Sequence, residues 1–198
     1  MLQTTNGSLF SALEIERAKN ILIRGGTSSI GICAAAIAKA NGLRVFSTTR
    51  NQKKVDWLLK NNVDEVFIES TELAPSIRMK YPEGIDRVLE LIGTTTLQDS
   101  LKCLKPGGIA CMTGMLGGQW EVKNFSPMGY IPTSVKLTSY SGGNQDISEA
   151  KLNEYLKLVE TGELNIPLGK VYKFEQLVEA HRDMDHNTGN GKQVIIID

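Results

Sequence analysis

The chain has 198 residues, with 22 Lys and Arg against 22 Asp and Glu, so its formal net charge is zero. This balance argues against a protein that coats nucleic acid or an anionic membrane, and no partner of either kind is expected. Three cysteines are too few and too scattered for a disulfide framework or a four-ligand zinc site. No apolar run is long enough to span a membrane and no signal peptide is apparent, so the expected location is the cytoplasm.

Short apolar, β-branched runs alternate with helical segments from residue 21 onward. Five such runs predict strands, at 21–23, 44–48, 65–68, 87–92 and 109–112. Between them lie predicted helices, near 29–41, 51–61, 71–80 and 95–104. Because the runs are continuous rather than alternating, they are typical of parallel strands covered on both faces. With a sixth strand at 135–141, the pattern predicts an α/β fold, a Rossmann-type doubly wound sheet of six parallel strands.

The pattern changes after residue 143. Residues 148–160 carry apolar side chains at helical spacing, a second such helix is predicted near 174–185, and a strand is predicted at 193–197. We therefore divide the chain into a Rossmann domain at 8–145 and a segment of C-terminal helices and one strand at 146–198.

A glycine-containing turn joins the first predicted strand to the first predicted helix. It reads Arg24-Gly25-Gly26-Thr27-Ser28-Ser29-Ile30-Gly31. Gly26 suits a tight turn because glycine tolerates positive φ, and Gly31 allows the helix to lie close against the strand. The N–H groups and partial positive charge of a helix N-terminus suit a pyrophosphate. Ser28 replaces the middle glycine of the dinucleotide fingerprint, and its hydroxyl is a candidate donor to a phosphate oxygen. The alternative is a purely structural turn.

The end of the second predicted strand distinguishes between the two nicotinamide dinucleotides. NAD sites usually place Asp or Glu there to accept from the ribose 2′-OH. Here Thr49 stands at that position, Arg50 follows it, and Lys54 lies one helical turn further on. Arg50 would hold a 2′-phosphate at roughly 1.5–3 kcal/mol per charge-assisted hydrogen bond, a roughly 10- to 100-fold preference. The sequence therefore predicts NADP, and the alternative is a solvated helix start.

The loops after the fourth and fifth predicted strands are further candidate contacts. Ligands of open α/β sheets bind outside the carboxyl ends of the strands, so residues 91–93 and 113–117 would reach the nicotinamide half unless they are ordinary turns. No Ser–His–Asp order, His-x-x-x-His pair or pair of carboxylates in a convincing context is present. No catalytic or metal-ligating residue is therefore assigned, and the chemistry is expected to come from the cofactor.

Several stretches make the chain similar to a known family. They are the glycine turn with its helix at 21–38, Lys105-Pro106-Gly107-Gly108, the run 125–143, and the tail segments 178–182 and 191–195. Over almost its whole length the chain resembles the medium-chain dehydrogenase/reductase superfamily, and most of all its zinc-independent quinone oxidoreductase branch. The resemblance implies an NADPH-dependent oxidoreductase that delivers hydride to a conjugated carbonyl acceptor such as a quinone.

The same resemblance implies how the chain is used. In such enzymes a GroES-like catalytic domain precedes the nucleotide domain, and the C-terminal segment returns to it. The expectation is therefore a cofactor-binding fragment that is inactive alone. Relatives pair through the strand equivalent to 135–141, which implies a homodimer. An enoyl-thioester reductase and a non-catalytic NADPH-sensing module stay open as alternatives.

Carried over by position, the resemblance assigns a contact to each part of the cofactor. It places the pyrophosphate on Ser28, Ser29 and Ile30, the 2′-phosphate near Thr49, Arg50 and Lys54, the nicotinamide ribose near Leu91 and Gly93, and the nicotinamide near Met115 and Leu116. Gly26, Thr27 and Gly31 complete the predicted site. One departure is Glu69, which stands where some quinone reductases carry a tyrosine beside the adenosine phosphate.

Overall fold

A six-stranded parallel sheet organises the chain in the computed structural model, which describes residues 1–70, 72–186 and 191–197. Its strands are β1 (Asn20–Arg24), β2 (Arg44–Thr49), β3 (Glu65–Ile68), β4 (Ile85–Glu90), β5 (Leu104–Met112) and β6 (Lys136–Ser139). They lie in the order β3-β2-β1-β4-β5-β6, and every pairing is parallel. This order reverses between β1 and β4, so the predicted Rossmann-type fold is confirmed.

Helices cover both faces of this sheet. They are α1 (Leu2–Asn6), α2 (Ser29–Ala40), α3 (Val55–Leu59), α4 (Ala74–Lys80), α5 (Thr94–Lys102), α6 (Pro127–Tyr130), α7 (Glu149–Glu160) and α8 (Leu177–Asp185). Consecutive residues of one strand enter different cores: Ile21 and Ile23 pack in one cluster and Leu22 in the other. All three are fully buried, which is the physical reason for the continuous apolar runs.

Several predicted elements differ at their ends. β5 begins earlier than predicted because Leu104 pairs with Ile85 before residues 105–108 shift the register. The helix predicted at 51–61 is a 3-10 turn followed by the short α3, since the side-chain oxygen of Asn51 accepts the Lys53 N–H. The helix predicted at 71–80 begins at Ala74, and Thr71 lies outside the described residues.

Two regions were not predicted in this form. Residues 2–12 are helical, with Leu9 fully buried in the first core cluster. Tyr155 of α7 is buried in that same cluster, and its hydroxyl donates to Asn6 Oδ1 at 2.8 Å. Near the C-terminus, β7 (Leu168–Lys173) pairs in parallel with β8 (Lys192–Ile196) in a separate two-stranded sheet. Among the described residues, no helix has the length and apolar character that a membrane crossing requires.

Candidate functional site

A cleft of about 600 Å³ opens at the carboxyl ends of β1 and β4, where the strand order reverses. In open α/β sheets this reversal point is where ligands bind. The cleft is lined by Gly25, Thr27, Ser28, Thr48, Thr49, Arg50, Glu69, Ser70, Ile92, Thr95, Thr96, Leu116 and Gly117. Contributions thus come from the glycine turn and from the loops after β2, β3, β4 and β5.

The glycine turn brings the start of α2 against the end of β1. A Cβ on Gly31 would lie 2.7 Å from Gly25 O, and one on Gly26 would overlap Ser47 Oγ, so both positions exclude larger residues. The turn is tied to β2 because the Gly26 N–H donates to Thr48 O at 3.1 Å. The positive φ expected at Gly26 is found instead at Gly25, whose φ is +92°. Gly26 is required by the close approach of Ser47, not by its own dihedral angles.

Ser28 lines the cleft and caps α2. Its hydroxyl was predicted to donate to a phosphate oxygen, but in the structure it bonds within the turn. Its Oγ accepts the Gly31 N–H at 3.1 Å and donates to Gly25 O at 2.8 Å, so the hydroxyl hydrogen is used within the turn. The first-turn N–H groups of Ser29 and Ile30 have no partner in the described chain. Such groups at the start of a twelve-residue helix fit an anionic diphosphate.

The end of β2 forms the opposite wall. Thr49 and Arg50 line the cleft; Thr49 is nearly buried and its Oγ1 accepts the Asn51 N–H at 3.1 Å, whereas Arg50 is exposed. Lys54, expected beside them, is buried and is not part of the described lining. Burial lowers the pKa of Lys54. The structure therefore places Arg50 in the lining of the cleft that the glycine turn also lines.

The loops after β4 and β5 lie side by side, because β4 and β5 are neighbouring parallel strands. The Leu116 N–H donates to Leu91 O at 3.1 Å, and the Gly117 N–H donates to Ile92 O at 2.7 Å. Gly93 has a φ of +108°, and a Cβ there would lie 3.2 Å from Met115 Cα. Leu91 is buried, while Leu116 is exposed at the cleft. Backbone groups, more than the side chain of Leu91, thus shape this end.

A buried ionic network that sequence reasoning missed lies beneath the cleft. Arg24, the last residue of β1, is fully buried, and its Nη2 donates to Glu69 Oε1 at 2.5 Å and its Nη1 to Asp99 Oδ2 at 2.7 Å. Nη1 also donates to Ser100 Oγ at 3.1 Å. The sequence does contain one sign of this network: Arg24 directly follows the apolar run of β1, and a charged residue buried at such a position needs partners.

Two buried charged residues here, Arg24 of the network and Glu90, whose Oε2 accepts from Ser100 Oγ, have shifted pKa values. Burial alone would lower the pKa of Arg24, but the hydrogen bond and charge of Glu69 raise it, so Arg24 is cationic. Burial raises the pKa of Glu90, which is fully enclosed at the end of β4. Glu69 shares one oxygen with Arg24, and its Oε2 is buried without a partner among the described residues.

The described residues contain neither a group of metal-ligating side chains nor an exposed cysteine. Within 1–70, 72–186 and 191–197, no group of three or more His, Cys, Asp or Glu is placed to hold a metal ion. The three cysteines are buried, and burial raises the pKa of each, to about 12 for Cys103. Buried neutral thiols of this kind are poor nucleophiles.

Comparison with known proteins decides the family. The family described as zinc-binding dehydrogenase matches residues 29–161, which include α2, the cleft-lining loops after β2 to β5 and the strands from β2 to β6. The chain belongs to the zinc-binding dehydrogenase family. The predicted membership in the medium-chain dehydrogenase/reductase superfamily, close to the quinone oxidoreductases, is thereby confirmed.

Individual proteins resemble the chain over nearly its whole length. Quinone oxidoreductase of Mus musculus is 25% identical over 202 residues, which cover 96% of this chain and 58% of the mouse protein. A mycobacterial structure complexed with NADPH has a TM-score of 0.80 at 20% identity, covering 99% of this chain and 62% of that one. The enoyl reductase CurK has a TM-score of 0.80 at 22% identity, covering 100% and 60%. The chain thus spans less than two thirds of the length of these relatives.

Proposed function

We propose that this chain is the NADPH-binding domain of an oxidoreductase that reduces quinones or related enones. The observation that carries the proposal is one cleft lined both by the glycine turn that leads into α2 and by the Arg50 side chain. The N–H groups of Ser29 and Ile30 would bind the pyrophosphate, and Arg50 would bind the 2′-phosphate. Thr49 supplies no carboxylate that would repel that phosphate, and the charge of the nearby Glu69 is offset by Arg24.

The remaining predicted residues would orient the nicotinamide half. The paired loops 91–93 and 113–117 form the other end of the cleft, with Leu116 exposed to cover the ring and Gly93 and Met115 in close approach. Bound NADPH supplies hydride to a conjugated carbonyl acceptor. The chain's own part is to hold the dinucleotide in one orientation and to exclude water from one side of it. The acceptor site belongs to the GroES-like domain that the resemblance implies.

Titration of the chain with NADPH and NADH tests this proposal. We expect saturable binding of both, with NADPH roughly 10- to 100-fold tighter because of the charge-assisted hydrogen bonds of Arg50. Equal affinities would contradict the NADP preference, and no saturable binding of either would contradict the cofactor role. Quinone reduction is then assayed with the chain alone and after addition of a GroES-like domain from a quinone oxidoreductase; turnover by the chain alone would contradict the division of labour.

An enoyl-thioester reductase is the second candidate. It is favoured by the similarity to the enoyl reductase CurK, which covers the whole chain. The two candidates share the nucleotide domain, so the same cleft serves both. A comparison of quinone and enoyl-thioester acceptors, each with NADPH and the reconstituted protein, distinguishes them by which acceptor is turned over.

We also propose that β6 mediates a homodimer. It is an edge strand of the six-stranded sheet, and among the described residues Lys136–Ser139 pair with β5 alone. The unpaired backbone groups of an edge strand are a template for another strand, and a twofold axis would pair β6 with itself. Light scattering across a concentration series measures the mass, and a monomer at all concentrations would contradict this proposal.

A further inference from the structure

Glu90 holds both loops of the nicotinamide end of the cleft. Its Oε1 accepts the N–H groups of Ile92 at 2.7 Å and Gly93 at 3.0 Å. Its backbone oxygen accepts the N–H groups of Thr113 at 3.0 Å and Gly114 at 3.1 Å. The side chain therefore fixes the loop after β4, while the main chain of the same residue fixes the loop after β5.

The other carboxylate oxygen of Glu90 connects it to the rest of the cleft floor. Ser100 Oγ donates to Glu90 Oε2 at 2.5 Å and accepts from Arg24 Nη1 at 3.1 Å. Arg24 in turn donates to Glu69 beside the end of β2. A continuous row of hydrogen bonds thus runs beneath the cleft from its adenosine end to its nicotinamide end.

A carboxylate is an expensive group to bury at this place. Glu90 is fully enclosed, and an apolar side chain of similar length would fill the same volume without the desolvation cost. What an apolar side chain cannot do is accept two consecutive N–H groups in a bend where Gly93 has a φ of +108°. The feature that the Oε1 atom of Glu90 provides is therefore the shape of the 91–93 loop.

We propose that Glu90 is a positioning residue for the nicotinamide half of the cofactor and contributes little to the binding of the adenosine half. This inference rests on the proposed function and deepens it. Loss of the Oε1 acceptor would free the 91–93 loop and, through Leu91 and Ile92, the loop that carries Leu116. The helix start and Arg50, at the other end of the cleft, would keep their places.

The test compares two probes on matched variants. NADPH occupies both halves of the proposed site, whereas adenosine 2′,5′-bisphosphate occupies only the adenosine half. Glu90→Met removes the acceptor, and Glu90→Gln retains one oxygen for the loop. The matched control is Asp86→Leu, near the opposite end of β4: Asp86 is also a buried carboxylate, and its Oδ2 accepts the N–H groups of Lys19 at 2.6 Å and Asn20 at 3.2 Å.

We expect Glu90→Met to weaken NADPH about tenfold and adenosine 2′,5′-bisphosphate by less than about twofold. The fluorescence of the bound reduced nicotinamide should shift toward that of free NADPH, and Glu90→Gln should restore most of the affinity. Asp86→Leu should lower stability in urea without changing either affinity. If Glu90→Met does not fold, Ser100→Ala is measured instead, with a smaller loss of NADPH affinity of about threefold expected.

Each other outcome overturns a stated claim. An equal loss of both probes, or no loss of NADPH affinity, in Glu90→Met or in its substitute Ser100→Ala contradicts the positioning role while the proposed function stands. The same holds if Asp86→Leu changes NADPH affinity as much as Glu90→Met. If the unaltered chain binds neither probe, the proposed function fails and the positioning role fails with it.

Discussion

Arg24 and Glu69 form a buried ion pair, with Nη2 and Oε1 2.5 Å apart, directly beneath the cleft. Arg24 is the last residue of β1, and Glu69 directly follows β3. These two strands are separated by β2 in the sheet. Arg24 also binds Asp99 at the far side. The cation therefore links three elements that the chain reaches at widely separated positions, and it fixes the floor on which the cofactor would rest.

Removal of Arg24 should be strongly destabilising. Arg24→Met leaves Glu69 and Asp99 buried without their cation, for which we expect a loss of about 3–5 kcal/mol in the free energy of unfolding. The control is Lys39→Met, which breaks the partly exposed pair of Lys39 with Asp64 and should cost less than about 1 kcal/mol. Urea denaturation measures both. A similar loss in the free energy of unfolding of the two variants would show that burial of the Arg24 network does not increase its contribution to stability.

Gly31 should tolerate no side chain. Gly31→Val would force a Cβ to within 2.7 Å of Gly25 O, a backbone atom that cannot turn away, so α2 would shift from β1 and carry its first N–H groups with it. We expect NADPH binding to be lost in a fluorescence titration. Ala40→Val, at the exposed end of the same helix, introduces the same side chain and should bind normally. Retained affinity in Gly31→Val would remove the proposed site.

Arg50 should determine the preference for the phosphorylated cofactor. Arg50→Asp should weaken NADPH roughly 10- to 100-fold and NADH much less, because the lost hydrogen bonds go to the 2′-phosphate. Lys53→Asp is the matched control: it makes the same charge change at an exposed position outside the cleft lining. Both affinities falling by the same factor in Arg50→Asp, or Lys53→Asp having the same effect, would rule out a specific phosphate contact.

Asp86 should contribute to acid sensitivity. Burial would raise the pKa of Asp86, but the Lys105 ammonium and the N–H groups of Lys19 and Asn20 hold it below its ordinary value of 3.8. The unfolded chain therefore takes up the proton first, so this stabilisation is complete well above pH 3.8 and is lost as the pH falls below it.

Asp86→Asn tests this pH dependence. We expect lower stability at neutral pH and a smaller difference between urea midpoints at about pH 6 and about pH 3 than in the unaltered chain. Asp56→Asn, at an exposed position, serves as the control and should keep the full difference. An unchanged difference in Asp86→Asn would exclude Asp86 as a source of acid sensitivity.

The sheet and the glycine turn could be predicted because their signals are local. The run Ile21-Leu22-Ile23 is buried on both faces of the sheet, and such a run has few alternatives to a covered parallel strand. Gly31 stands at a fixed distance after that strand, so its place against the helix start follows from spacing. Arg50 follows the next strand by the same logic, and it does line the cleft.

Other features depended on partners that spacing does not reveal. Lys54 lies one turn beyond Arg50 in sequence, yet it ends the short 3-10 segment before α3 in a buried position and is not among the described lining residues of the cleft. The hydroxyl of Ser28 was predicted to donate to a phosphate oxygen, and the turn's own carbonyl at Gly25 accepts its hydrogen instead. Both outcomes depend on backbone detail of a few residues, which composition and periodicity do not fix.

The sequence by itself determined the class of fold, the position of the helix start that suits a diphosphate, and the absence of an acid at Thr49. Only the tertiary structure decided that Arg24, Glu69, Asp99 and Glu90 form one network, because Glu69 and Asp99 lie 45 and 75 positions from Arg24 and Glu90 joins them through Ser100. Strand and turn preferences are set by neighbours along the chain. The partner of a buried charge is set by which strand ends and helices the folded chain brings together, and the cost of leaving that charge alone makes the arrangement specific.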